Sequence, residues 1–133
     1  AERGAPEPPP AEGDWSAASG HAAGRLLAAD PAVTAVFAAN DEMAIGLIRA
    51  LTEAGRGVPD QVSVIGFDDI PVAAYVTPPL TTIRQSFDVM TALGLERLVH
   101  AIEHGGDPRT PPAPAADLPI ELVVRASTAP PRA

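Results

Sequence analysis

The chain has 133 residues, with 17 acidic and nine basic side chains and a formal net charge of -8. That length suits one domain or part of one, and the acidity argues against a nucleic-acid or anionic-membrane surface on this stretch, since either needs a basic patch. There is no Cys, which excludes disulfides, thiolate metal sites and a Cys nucleophile. Apolar residues make up 46% but aromatics only 4%, so the core is expected to be aliphatic. No apolar run approaches the roughly 20 residues of a membrane span, and AERGAPEPPPAEGDW lacks the basic and apolar regions of a signal peptide. The expectation is a cytoplasmic protein with no membrane partner.

Residues 1–13 are rich in Pro, Ala and Glu without a hydrophobic period, and read as an extended, linker-like start. Asp14-Trp15-Ser16 opens a helix that Ser16 or Asp14 can cap, with Ala22, Leu26 and Leu27 on its face and Pro31 blocking its continuation. Val33 to Ala38 carries no charge on either face and reads as a central parallel strand. Asn40 or Asp41 caps the next helix, whose apolar surface comprises Met43, Ile45, Leu47, Ile48 and Leu51, and Gly55 ends it. Val62 to Phe67 is a second buried strand. The helix–strand alternation predicts an α/β fold, a parallel sheet flanked by helices with right-handed crossovers.

Asp68 to Pro79 is a polar loop with a short helical turn around Val72 to Val76. Leu80 to Arg84 is β-like. A long helix from Ser86 to His104 places Met90, Leu95, Leu98, Val99 and Ile102 near one face, with Gly105-Gly106 as its stop. Asp107 to Pro119 is a Pro/Ala-rich connection and Leu122 to Val124 a last strand. The body thus spans 14–125, and Ala126 to Ala133 reads as a frayed tail.

The chemistry-bearing residues cluster where strands end, the place where open α/β sheets hold ligands. Asn40 and Asp68 are expected side by side at the carboxyl ends of neighbouring strands. Asn40 reads either as a helix cap or as a donor–acceptor amide suited to a sugar hydroxyl or a base edge. Asp68 and Asp69 read as solvated or capping acids, or as carboxylates for adjacent hydroxyls of a polyol. No third ligand at useful spacing supports a metal, and nothing calls for a cofactor. Trp15, the only Trp, is either a packing residue or a flat platform for the C–H face of a sugar ring. Arg84 and Gln85 close a strand and either face solvent or reach the ligand. His21, His100 and His104 are assigned no role. There is no GxSxG elbow, Walker loop or GxGxxG turn. Adjacent acids in sequence seldom face each other as a glycosidase pair, so no catalysis is expected.

EGDWSAASG, FAANDEMAIGLIRAL, VPDQVSVIGFDDIP, PPLTTIRQ and LPIELVVRAST occur in this order. Together they resemble the C-terminal part of LacI/GalR-family bacterial transcriptional regulators, over roughly Glu12 to Thr128. The resemblance implies a partial periplasmic-binding-protein-like lobe, one of two that enclose a small effector, a sugar or related molecule. It implies Trp15 as a ring-stacking position, Asn40 and Asp68 as hydroxyl ligands and Gln85 at the cleft hinge. It implies a homodimer whose surface includes Ala44, Ile45, Ile48, Arg49 and Tyr75. The helix 86–104 would cross toward a second lobe missing from this chain. Operator DNA would be bound only through an N-terminal helix-turn-helix domain also absent here, with effector and operator coupled allosterically. The alternative is a fragment of a periplasmic sugar-binding transport protein.

Overall fold

The computed structural model describes residues 11–103 and 118–131. Three helices and four strands appear in the order α1 (Ala17–Ala28), β1 (Ala35–Phe37), α2 (Asp41–Glu53), β2 (Ser63–Asp68), β3 (Thr81–Gln85), α3 (Phe87–Glu103) and β4 (Ile120–Val123). A short 3-10 turn, Pro71–Ala74, lies between β2 and β3. The strands form one sheet in the order β1-β2-β3-β4, parallel except that β4 runs antiparallel to β3.

Local sequence explains where α1 and α2 begin. The Ser16 side chain accepts from the Ser19 N–H and starts α1; Asn40 accepts from the Met43 N–H at 2.9 Å and starts α2. The two helices touch backbone to backbone because Gly20 and Gly46 carry no side chain at the crossing. A Cβ on Gly20 would lie 2.6 Å from Met43 Cα, and one on Gly46 would overlap the Ala17 carbonyl. Below them sits an aliphatic core of Leu51, Val62, Val64 and Leu80, all fully buried, with Leu47, Ile48, Ala44 and Ala73. Burying side chains of this kind contributes about 1.5–3 kcal/mol for each Leu, Ile or Val.

Several expectations need correction. β1 is three residues long and forms the edge of the four-stranded sheet, so it is not central among the described strands. Its Phe37 is 58% exposed and meets Phe67 edge to face at 6.4 Å. Residues 126–129 are not frayed. The Ser127 hydroxyl donates to the Val64 carbonyl (2.6 Å) and accepts from the Thr81 N–H (2.8 Å), and the Ser127 carbonyl accepts from the Val64 N–H (2.8 Å). The Ala129 N–H adds a bond to Ser63 Oγ. This segment ties the entry ends of β2 and β3 together, with Ser127 fully buried.

α3 has no buried residue: Leu95, Leu98, Val99 and Ile102 remain at least 44% exposed. Its expected apolar face is therefore present and has no packing partner among the described residues. The linker-like reading of 1–10, the helix stop at Gly105-Gly106 and the connection up to Asp117 lie outside the described residues.

Candidate functional site

The carboxyl ends of β1, β2 and β3 form one crest, and every expected ligand residue reaches it. Trp15 immediately precedes the cap of α1 and holds a left-handed backbone, φ 71°. Its carbonyl accepts from Asn40 Nδ2 at 2.9 Å, while the side chain is 64% exposed. Beside it, the Ser16 hydroxyl and then Ser19 hold the Asp14 carboxyl down to about 2. Asp68 is the last residue of β2, and Gln85, the last of β3, donates from Nε2 to Asp68 Oδ1 at 2.7 Å. The four residues thus form two bonded pairs, Trp15 with Asn40 and Asp68 with Gln85, at the same end of adjoining parallel strands.

Each member keeps something to offer. Asn40 serves as cap and as anchor for Trp15, which leaves its amide one N–H and one lone pair. Asp68 Oδ2 bonds nothing among the described residues. The indole is a broad exposed platform. An acceptor oxygen, a donor–acceptor amide and a flat apolar ring are the groups that a polyhydroxylated ring requires, with hydroxyls at its rim and C–H bonds on its faces. Among the described residues, no three His, Asp or Glu side chains gather as a metal would need.

Asp69 belongs to a different arrangement. Its side chain is 8% exposed, with Oδ1 bonded to Arg125 (2.6 Å) and Oδ2 to Arg84 (2.7 Å), and Arg84 also reaches Glu121 at 2.9 Å. Burial pushes the carboxyl up, but the hydrogen bonds and charges of Arg125 and Arg84 outweigh it and hold Asp69 below the ordinary range. A carboxylate clamped on both oxygens is not positioned to bind a ligand or act as a general acid.

Two residues were missed by spacing alone. Asp41, by its position an alternative cap of α2, is fully buried, and its carboxylate bonds Thr82 Oγ1 (2.5 Å) and the Ile70 N–H (2.8 Å). Burial pushes its pKa up, the Thr82 and Ile70 bonds oppose this, and the charges of Asp68 and Asp69 add to it. Arg125 follows the expected last strand, Leu122 to Val124, and carries no sequence assignment, yet its guanidinium joins Asp69 to the Leu80 carbonyl. A charged residue after an apolar run was the signal available for it.

The expected pairing surface is partly corrected. Ala44 and Ile48 are 0% and 4% exposed and pack inside the chain, so they have no surface to present. Arg49 and Tyr75 are exposed and Ile45 is half-buried, with Tyr75 at 85%. Arg49 bonds Glu53, which also holds His21 at 2.8 Å.

A family model described as a periplasmic binding protein-like domain matches residues 2–128. The chain is 40% identical over 108 residues to a lactose operon repressor of Rhizobium radiobacter, covering 81% of this chain and 91% of that sequence. It covers only 25% and 23% of two other curated repressors, so it spans about a quarter of their length. Among solved structures it is similar to a LacI family transcriptional regulator from Enterococcus faecium with bound ribose (TM-score 0.75, 34% identity, 92% of this chain and 44% of that one). It is also similar to the lac repressor dimer bound to operator and an anti-inducer (TM-score 0.72, 38% identity, 88% and 40%). The fold and crest thus define a periplasmic-binding-protein-like effector domain. The chain belongs to the LacI family of transcriptional regulators and corresponds to part of that domain.

Proposed function

We propose that this chain is the effector-sensing portion of a sugar-responsive transcriptional regulator. The carrying observation is the convergence of Trp15, Asn40, Asp68 and Gln85 on one end of the sheet, in two bonded pairs. A neutral monosaccharide stacks one C–H face on the Trp15 indole. Adjacent hydroxyls donate to Asp68 Oδ2, a charge-assisted contact, and the free edge of Asn40 takes a third. Gln85 orients Asp68 and sits where β3 hands over to α3, so a ligand pulling on Asp68 acts on the segment leading into that helix. This is a binding reaction, with no catalytic step. Support comes from the regulator solved with ribose and from the repressor solved with operator. Operator DNA is contacted by a domain outside this acidic chain, in the cytoplasm. A homodimer forms through a surface containing Ile45, Arg49 and Tyr75.

The test is calorimetric titration of the chain with D-ribose and D-glucose, beside Asp68→Asn. The substitution keeps size and the Gln85 neighbourhood but removes the charge. A loss of at least 1.4 kcal/mol, about tenfold in Kd, with unchanged circular dichroism supports the reading. Equal affinity for the two proteins overturns Asp68 as a ligand.

A further inference from the structure

Asp41 is a fully buried carboxylate that the proposed sugar contacts do not use. It sits at the start of α2, one residue after Asn40. Oδ2 accepts from the Ile70 N–H at 2.8 Å, and Oδ1 accepts from the Thr82 hydroxyl at 2.5 Å. Room for it is made in β2 by Gly66, where a Cβ would overlap Oδ1. These bonds reach the three segments that carry the candidate ligands. Asn40 precedes Asp41 on the same helix start, Asp68 and Asp69 immediately precede Ile70, and Thr82 lies three residues before Gln85 on β3.

The turn in question needs holding. Asp68 and Asp69 are consecutive non-glycine residues with left-handed backbones, φ 111° and 56°, a conformation disfavoured by Cβ sterics and retained only where surroundings over-determine it. Asp69 is fixed by Arg84 and Arg125, and the exit of the turn is fixed by Asp41 through Ile70. The Asp68 backbone pairs with Arg84 in the sheet, and among the described residues its side chain is held by Gln85.

We infer that Asp41 is the positioning residue of this site: one buried carboxylate sets the helix bearing Asn40, the turn bearing Asp68 and the strand bearing Gln85 in mutual register. It touches no ligand. The inference builds on the sugar-binding reading, and its test separates the two.

The variants are Asp41→Ala, which removes the acceptors of both the Ile70 N–H and the Thr82 hydroxyl, and Thr82→Val, which removes only the hydroxyl. Amide exchange and backbone resonances are followed by NMR at neutral pH, with D-ribose as the binding probe. In Asp41→Ala the Ile70 amide is expected to exchange at least tenfold faster and the Asp68 and Asp69 resonances to move. The Met43 amide, capped by Asn40, keeps its protection, and the Kd for D-ribose rises at least tenfold. A lowered melting temperature with Ile70 still protected and Asp68 and Asp69 unmoved is what a merely structural role gives, and it overturns the inference. Should Asp41→Ala fail to fold, Thr82→Val decides by the same Asp68 and Asp69 resonances, expected to move and contradictory if they do not. If the parent chain binds no D-ribose, the sugar reading fails on that probe while the exchange measurement still decides the role of Asp41.

Discussion

Gly46→Ala tests how the site is assembled, because Trp15 and Asn40 are brought together by the α1–α2 crossing. A Cβ at position 46 would overlap the Ala17 carbonyl oxygen and lie 2.8 Å from the His21 amide nitrogen. Carbon atoms pack comfortably at about 3.5–4.0 Å, so the helices must part by about 0.7 Å or more. The Trp15–Asn40 bond starts at 2.9 Å and would stretch to about 3.6 Å, past the useful range. Overpacking costs about 1–3 kcal/mol, and a collision with backbone belongs at the upper end because no rotamer change relieves it. Ala gains about 1 kcal/mol over Gly in a helix interior, which leaves a net loss of about 2 kcal/mol. At several degrees per kcal/mol for a domain of this size, the melting temperature should fall by about 10 °C. Gly94→Ala is the control: a Cβ there meets nothing within 4 Å, so only the helix gain remains. Thermal denaturation by circular dichroism reads both. A Gly46→Ala protein that melts at or above the parent temperature refutes the close crossing.

Other outcomes follow from burial and charge. Leu51→Ala, at a fully buried site, should cost about 2–5 kcal/mol, whereas Leu98→Ala, at 57% exposure on α3, should stay within about 0.5 kcal/mol in urea denaturation of this chain. Asp69→Asn should destabilise the chain at neutral pH. The folded pKa of Asp69 is depressed, so its contribution is full above the unfolded value of about 3.9 and is lost as pH falls through the lower folded value. The gap between parent and variant melting temperatures should therefore close below about pH 4, and a gap independent of pH would mean that the charge of Asp69 is not what Arg84 and Arg125 hold.

Much of this arrangement could be read from residue order. VSVIGF reads as buried β because its apolar run is bounded by turn residues, and Asn40 three residues before Met43 is a cap by spacing. The family motifs brought Trp15, Asp68 and Gln85 to the same place. Other features depend on long-range geometry. Residues 126–129 are held by backbone bonds and by the hydroxyls of Ser127, Ser63 and Thr128, which leave no hydrophobic signature. Ala44 and Ile48 belong to a helix buried on two sides, by α1 and by the sheet. In such a helix, apolar spacing cannot separate a packing face from a pairing face. Asp41 looked like any acid in a first helical turn, since only the strands behind it turn it into a buried clamp.

In the proposed complex a sugar sits against Trp15 and Asp68. Because Trp15 is the only Trp in the sequence and stands at the crest, its fluorescence reports on that site alone. Titration with D-ribose, D-glucose and other neutral monosaccharides should give a saturable change in Trp15 emission for at least one sugar, with the midpoint at least about tenfold higher in Asp68→Asn. Emission that stays flat across the panel, or that saturates equally in Asp68→Asn, would contradict it.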